Sequence, residues 1–325
     1  MKREPWKPRK VAIVGAGSVG STFAYALAQS GPAEEIVLID RDRRLAEGQA
    51  LDLAHGLPFF PPAEIRAGDY PDCGDARLTV ITAGARQKPG ESRLDLLKRN
   101  ARIIEEIVAE IEASGFSGVT VVVSNPVDVL TWVAAKKAGG GLGRVIGSGT
   151  VLDSARFRYL LSKHCGVDPR NVHAYVLGEH GDSEFAAWSL THLAGTRIDD
   201  YCPVCGKCND WERQRREIEE TVRNSAYHVI DYKGATYFAV GLALVRIAEA
   251  VLRNRNSVLT VSVPLEGEYG LEGVCLSLPC LVNESGAARI IESPLPEKEL
   301  AALKNSAAVL REEIASLNKG PDHDN

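Results

Sequence analysis

The chain has 325 residues, about twice the length of an ordinary domain, which favours two domains. Apolar residues make up 45% and charged residues 25%, a globular composition that excludes a disordered chain. The formal charge is −5 and no block of Lys and Arg stands out, so we expect no nucleic-acid partner. The longest apolar runs, such as Val119–Val123, are far shorter than the ~18 residues that cross a bilayer, so we expect no membrane contact.

The basic start is followed by a glycine-broken run rather than by the apolar core of an export signal. Seven cysteines are too few for a disulfide scaffold, and their odd number fits a reducing compartment. Both observations favour a cytoplasmic protein.

In the first half, short β-branched runs alternate with longer helical stretches. The predicted strands are Lys10–Val14, Glu35–Asp40, Leu78–Thr82, Val119–Val123 and Arg144–Gly147, and the predicted helices are Val19–Ser30, Leu45–His55 and Ser92–Ser114. These strands are apolar on both faces, which is typical of a parallel sheet covered on both sides. We predict a doubly wound α/β domain of the Rossmann type over residues 1–148.

The second half has a different pattern. Predicted helices are Leu152–His164, Trp211–Ile230, Phe238–Leu252 and Glu297–Leu317, with a strand at Val172–Val176 and short strands between Ser257 and Ile291. We predict an α+β domain over residues 149–325, which would hold the substrate and the catalytic groups.

The segment Gly15–Gly20 has the pattern GxGxxG between the first predicted strand and the first predicted helix. Its glycines allow a tight turn, a close approach of backbone to a pyrophosphate, and helix–strand packing. Asp40 ends the second strand, where it can accept hydrogen bonds from ribose hydroxyls and would repel a 2′-phosphate. The pattern therefore predicts a dinucleotide site for NAD rather than NADP.

Four polar residues form a possible catalytic set. Asp153 and Arg156 share a helix face, His180 lies in a glycine-flanked turn, and Arg93 follows a polar loop. Each alone fits a simpler interpretation: a helix cap with a salt bridge, an ordinary loop histidine, or a solvated basic loop.

Several segments together resemble the L-lactate/L-malate dehydrogenase family, and within it the bacterial, fructose 1,6-bisphosphate-activated L-lactate dehydrogenases. The matching segments are Val11–Gly17, Ser124–Asp128, Asp153–Arg156, Gly178–Ser183 and Lys233–Thr236. The resemblance implies that Arg156 binds the carboxylate of a 2-keto acid and that His180 is the general acid and base. It implies that Asp153 orients the imidazole and favours its protonated form, and that Arg93 polarises the carbonyl of the substrate.

The resemblance also implies the remaining contacts. Asn125 contacts substrate and the nicotinamide ribose, and Thr236 lines the methyl end of the substrate. The implied NAD contacts are Gly15, Gly17, Ser18, Val19, Gly20, Asp40, Thr82, Ala83, Gly84 and Asn125.

Gln87 bears on which keto acid is reduced. The malate enzymes carry arginine at the matching loop position, whereas a neutral amide suits the methyl group of pyruvate. The resemblance therefore implies reversible NADH-dependent reduction of pyruvate to (S)-lactate, at the end of glycolysis or fermentation. Malate dehydrogenase or another 2-hydroxy acid dehydrogenase remains the alternative.

Arg158 and His173 match the positions that bind fructose 1,6-bisphosphate in the activated bacterial enzymes. Arg158 points about 200° round the helix from Arg156, away from the substrate. From spacing alone both could be surface residues without a role. The resemblance implies an allosteric bisphosphate site and a homotetramer.

Two other classes of protein stay open. A recruited nucleotide-binding module would keep Gly15–Gly20 and Asp40 but would not need the four catalytic residues together. An NAD-dependent glycosidase would need a metal site, and Asp153, Arg156 and His180 suit a keto acid better.

The run Cys202-Pro203-Val204-Cys205-Gly206-Lys207-Cys208 departs from the family pattern. A closed zinc site needs four ligands, and His192, Asp210 or another subunit would have to supply the fourth. We favour an exposed loop insertion with reducible thiols, and we assign no metal ion.

Overall fold

The computed structural model describes residues 8–88, 90–139, 143–206 and 210–318. Strands and helices alternate in the first half: β1 Lys10–Val14, α1 Ser18–Ser30, β2 Glu35–Ile39, α2 Arg43–His55, β3 Glu64–Ala67, β4 Leu78–Ile81, α3 Arg93–Ala113, β5 Val119–Val122, α4 Val127–Lys137 and β6 Val145–Gly147.

The second half is mixed. Its elements are α5 Val151–Cys165, β7 Val172–His173, β8 Val176–Leu177, β9 Phe185–Ala186, β10 His192–Leu193, β11 Thr196–Arg197, α6 Ile198–Tyr201, α7 Trp211–Lys233, α8 Phe238–Leu252, β12 Ser257–Glu266, β13 Glu272–Asn283, β14 Gly286–Ile290 and α9 Glu297–Asn318.

One large sheet joins the two halves. Its strand order is β14-β13-β12-β6-β5-β4-β1-β2-β3, with β1 to β6 parallel and β12 to β14 antiparallel. Strand β12 meets β6 where Ser262 pairs with Gly147. The parallel part has the doubly wound order, with a crevice at the carboxyl ends of β1 and β4 where the chain reverses direction across the sheet. The prediction of a mixed α/β fold with a Rossmann-type sheet is confirmed.

Two elements of the first half were not predicted. Helix α4 is buried almost all round, so its sequence lacks the 3.6-residue alternation that marks a surface helix. Strand β3 has only four residues and lies at the sheet edge.

The single strand predicted over Val172–Val176 is wrong. The chain forms β7 and β8 instead, because β7 pairs with β10 while β8 pairs with β9.

A second apolar core lies between α5, α6 and α7. It includes Phe157, Leu161, Trp188 and Cys202, and Cys202 has no exposed surface. The interpretation of the whole cysteine run as an exposed insertion is therefore wrong at its first residue, which packs into this core. Cys208 lies outside the described residues.

Within the described ranges, none of the helices combines the length and the apolar character needed to span a membrane.

Candidate active site

The glycine loop after β1 is shaped by close backbone packing. Gly15 has φ +111°, and a Cβ there would lie 2.6 Å from the backbone nitrogen of Ala83. A Cβ at Gly20 would lie 1.9 Å from the carbonyl oxygen of Gly15. The hydroxyl of Thr82 donates to that same oxygen at 2.8 Å, which holds the end of β4 against the loop. Only glycine fits either position.

The start of α1 is suited to an anion. The helix begins at Ser18, and among the described residues no side chain caps it at Gly17. A Cβ built on Gly17 would meet nothing within 4 Å, so there is room beside the first-turn N–H groups. Those groups and the helix dipole favour a pyrophosphate.

Asp40 is oriented at the end of β2. Its Oδ2 accepts from the backbone nitrogen of Ala16 at 2.8 Å and its Oδ1 from that of Asp42 at 2.9 Å. The carboxylate thus lies beside the glycine loop, and each oxygen keeps a further lone pair for a ribose hydroxyl. The residues present therefore fit NAD, with Val19 in the first turn of α1 and Ala83, Gly84 and Asn125 at the carboxyl ends of β4 and β5.

The structure brings three predicted catalytic residues together around one buried carboxylate. Nδ1 of His180 lies 2.7 Å from Oδ2 of Asp153, and Nη1 of Arg156 donates to Oδ1 of Asp153 at 2.7 Å. Asp153 is 2% exposed, whereas the side chain of His180 is 26% exposed. The imidazole therefore has one nitrogen held by protein, which leaves Nε2 as its reactive atom.

These contacts set the protonation of the pair. Burial lowers the pKa of His180, but the charge and hydrogen bond of Asp153, helped by Glu184 and Asp128, outweigh it and raise this pKa to about 9. Burial would raise the pKa of Asp153, yet His180 and Arg156 hold it below its usual range. At neutral pH the imidazole is charged and can donate a proton.

Two acidic residues around this pair had no role predicted from the sequence. Asp128 lies in the quoted Ser124–Asp128 segment; it accepts from the backbone nitrogen of His180 at 2.6 Å and from the hydroxyl of Ser262 at 2.5 Å. Burial raises its pKa to about 6. Glu184 is also buried, and the negative charge of Asp153 helps burial to raise its pKa well above its usual value.

The ligand-capable atoms of Asp153, His180 and Glu184 lie within 4.8 Å of one another. The signal that could have found Glu184 is its position four residues after His180.

Gln87 and Arg93 are both exposed. The amide of Gln87 donates to the carbonyl of Glu91 within its own loop, at 2.8 Å, and Glu91 is paired with Arg99 at 2.7 Å. Arg93 is the first residue of α3. In the described conformation Gln87 therefore contacts its own loop.

Thr236 is half-buried in the connection between α7 and α8, and Asn125 is exposed after β5. The structure thus assembles His180, Asp153 and Arg156 into one cluster. Of the other predicted substrate contacts, Gln87, Asn125 and Thr236 lie on loops and Arg93 begins α3.

Arg158 and His173 lie on neighbouring parts of the surface. Nε of Arg158 donates to the carbonyl of Ala174 at 3.0 Å, and its guanidinium stacks 5.4 Å from the centre of the Tyr175 ring. Burial lowers the pKa of Arg158, and the nearby charge of Arg246 lowers it further. His173 is exposed on β7 opposite His192.

Comparison with known families agrees with this geometry. Residues 9–147 match the NAD-binding domain of lactate/malate dehydrogenases, and residues 150–319 match their alpha/beta C-terminal domain. The chain belongs to the lactate/malate dehydrogenase family. The predictions of this family, of an NAD-dependent dehydrogenase and of NAD as the cofactor are confirmed.

Named relatives cover nearly the whole chain. An L-lactate dehydrogenase of Treponema denticola is 62% identical over 314 residues, which is 96% of this chain and 99% of that protein. One from Thermoanaerobacter pseudethanolicus is 54% identical over 309 residues, 95% of this chain and 99% of that protein.

Solved structures are similar too. A lactate dehydrogenase from a Medee basin deep-sea metagenome library has a TM-score of 0.94 at 47% identity, covering 97% of this chain and 100% of that one. The ligand-bound minor L-lactate dehydrogenase of Enterococcus mundtii has a TM-score of 0.92 at 43% identity, covering 96% and 99%.

The raised pKa of His180 predicts a specific titration. The imidazole C–H NMR signals of His180 should titrate near pH 9. Asp153→Asn should lower that midpoint by at least about 1 pH unit, because burial still lowers the pKa of His180 while the negative charge that raised it is gone. The exposed Asp168 offers a control, since Asp168→Asn should leave the midpoint in place. A wild-type midpoint near 6.5, or one unmoved by Asp153→Asn, would contradict the assigned pairing.

The same shift links pH to stability. The pKa is raised on folding, so the stabilisation from charged His180 is complete below about pH 6.5 and is lost as the pH rises through about 9. The free energy of unfolding of the wild type should therefore fall across this window more steeply than that of Asp153→Asn in urea titrations.

The position of Asp40 predicts the choice of cofactor. Asp40→Ser should lower the ratio of NADPH to NADH dissociation constants by at least about tenfold, because the charge that repels a 2′-phosphate is gone. The measurement is binding of each reduced cofactor by fluorescence. Asp52→Ser, an exposed change on α2, serves as the control. An unchanged ratio in Asp40→Ser would show that this carboxylate does not read the ribose.

Proposed function

We propose that this chain is an L-lactate dehydrogenase that reduces pyruvate reversibly to (S)-lactate with NADH, at the end of glycolysis or fermentation. The observation that supports this most is the buried carboxylate of Asp153, which holds both a charged imidazole and a guanidinium. We also propose a division of the chain into residues 1–148 for NAD and 149–325 for substrate. Thiols outside disulfides, such as those of Cys73, Cys275 and Cys280, favour the cytoplasm.

Each residue of the cluster has one task. Arg156, fixed by Asp153, presents the rest of its planar guanidinium to the substrate carboxylate. NADH supplies a hydride to the carbonyl carbon when bound. His180 donates the proton from Nε2 to the carbonyl oxygen during reduction and accepts it back during oxidation. Asp153 keeps the ring charged until that transfer.

The loop that carries Gln87 and Arg93 completes the site when it folds over the substrate. Arg93 polarises the carbonyl as negative charge develops on its oxygen, with Asn125 on the same side, and water is excluded. Thr236 and Gln87 border the methyl group of pyruvate. In the described conformation the amide of Gln87 donates to the backbone carbonyl of Glu91. Closure of the loop breaks this hydrogen bond and brings the Gln87 side chain next to the substrate.

Gln87 decides between the two keto acids of the family. Oxaloacetate would bury its second carboxylate beside a neutral amide at a cost of several kcal/mol, which disfavours a malate dehydrogenase.

Wild-type protein should therefore have a higher kcat/KM with pyruvate than with oxaloacetate, and Gln87→Arg should move the ratio toward oxaloacetate by at least about tenfold. Gln87→Met removes the amide without adding charge and should keep the pyruvate preference. A wild type that prefers oxaloacetate would overturn the proposed function, whereas a ratio unmoved in Gln87→Arg would overturn only the role of this residue.

Fructose 1,6-bisphosphate is the proposed activator of a homotetramer. Support comes from Arg158, whose guanidinium bonds the carbonyl of Ala174 next to His173 in the chain, and from the nearby charge of Arg246. A twofold axis through this surface would double the charge, which would favour a low-affinity arrangement until a bisphosphate neutralises it.

The bisphosphate should lower the pyruvate concentration for half-saturation, because its phosphates neutralise the cations of this surface. Arg158→Gln should abolish this shift while leaving the rate at saturating pyruvate near wild type. Arg102→Gln, an exposed change on α3, should keep it. Saturation curves that millimolar bisphosphate leaves in place at both pH 6 and pH 8 would contradict the allosteric proposal and leave the dehydrogenase proposal intact.

A further inference from the structure

Cys202 and Cys205 lie directly after α6, beside the second apolar core. Cys202 begins the turn that follows α6, has no exposed surface and packs in the core that includes Phe157 and Leu161 of α5. Cys205 is half-buried, and its thiol donates to the carbonyl of Cys202 at 3.2 Å. Both cysteines of this turn therefore pack on the second core, while Pro203 and Val204 between them are exposed.

The end of α5 supplies a ligand that sequence spacing did not suggest. Nε2 of His164 lies 3.3 Å from Sγ of Cys202, and the imidazole ring packs 5.7 Å from the ring of Trp211. In a tetrahedral zinc site the distance between a nitrogen ligand and a sulfur ligand is about 3.5 Å. The pair is thus spaced like one edge of such a site.

More sulfur lies in the same core. Cys165, the last residue of α5, is buried there together with Cys202, and Cys205 packs against it. Of the two other ligands considered from the sequence, Asp210 caps α7 through the backbone nitrogen of Arg213, and His192 lies in the β7–β10 ladder. His164 is the residue that the fold places beside Cys202.

We propose that His164, Cys202 and Cys205 bind a zinc ion. The sulfur of Cys205 reaches the ion by rotating about its χ1 bond, away from the Cys202 carbonyl. Both thiols release their protons to water on binding, and the zinc keeps its oxidation state. A further side chain or a water completes the tetrahedron. Soft thiolate and imidazole ligands select zinc over magnesium or calcium.

The site is structural rather than catalytic. His164 lies eleven positions after Asp153 on α5, which is about 16 Å along the helix. Zinc would link the end of α5 to the turn after α6. Helices α5 and α7 both pack on the core beside this point. It would therefore stabilise the helix that carries Asp153 and Arg156 without contacting substrate.

The test measures bound metal in full-length protein without a histidine tag, purified without chelator from zinc-supplemented cultures. Elemental mass spectrometry should find about one zinc per subunit in the wild type and less than about a fifth of that in Cys205→Ser and His164→Gln. Cys73→Ser removes an equally buried thiol from the other core and should keep its zinc. Reconstitution of the wild type with Co(II) should give thiolate-to-metal charge-transfer bands that Cys205→Ser lacks.

Three results would overturn the proposal. The first is wild-type protein that holds no zinc and takes none from a chromophoric indicator under anaerobic conditions. The second is zinc that remains fully bound in both Cys205→Ser and His164→Gln. The third is unreduced protein two hydrogens lighter through a Cys202–Cys205 disulfide and free of zinc. Each measurement is independent of catalytic activity, so its failure leaves the proposed dehydrogenase function untouched.

Discussion

One buried carboxylate organises the candidate site. Asp153 is 2% exposed and accepts two charge-assisted hydrogen bonds, one from His180 and one from Arg156. An unpaired carboxylate in that position would be strongly destabilising, so both cations are needed to keep Asp153 ionised. The same two ion pairs that offset the burial of Asp153 keep the imidazole protonated and hold the guanidinium in place. A keto-acid reductase needs both of these properties.

The fold meets this constraint with parts that are distant in the chain. Asp153 and Arg156 come from the first turns of α5, while His180 comes from the turn between β8 and β9. The backbone of that turn is fixed by Asp128, at the start of α4, which is itself bonded to Ser262 of β12. Because β12 pairs with β6, the first and second halves of the chain are joined through one continuous sheet.

The sequence predicted the NAD cofactor from local spacing, that of Gly15–Gly20 and Asp40. The roles proposed for Asp153, Arg156 and His180 came from the family resemblance. Helix α4 was not predicted, because a helix buried almost all round lacks the alternation of apolar and polar residues. Strands β7 and β8 were predicted as one strand, because their different pairing partners, which separate them, are not visible in the sequence. The His164–Cys202 pair depends on a contact between distant segments, which spacing does not encode.

The charges of the cluster explain why the last cation of the proposed mechanism, Arg93, is exposed at the start of α3. At pH 7 the carboxylates of Asp153 and Asp128 are ionised, the latter with a pKa of about 6, and burial favours the protonated form of Glu184. The charges of His180 and Arg156 face those of Asp153 and Asp128. A keto-acid carboxylate adds a further negative charge beside them. Arg93, exposed in the described conformation, can match that charge on closure without being buried unpaired beforehand.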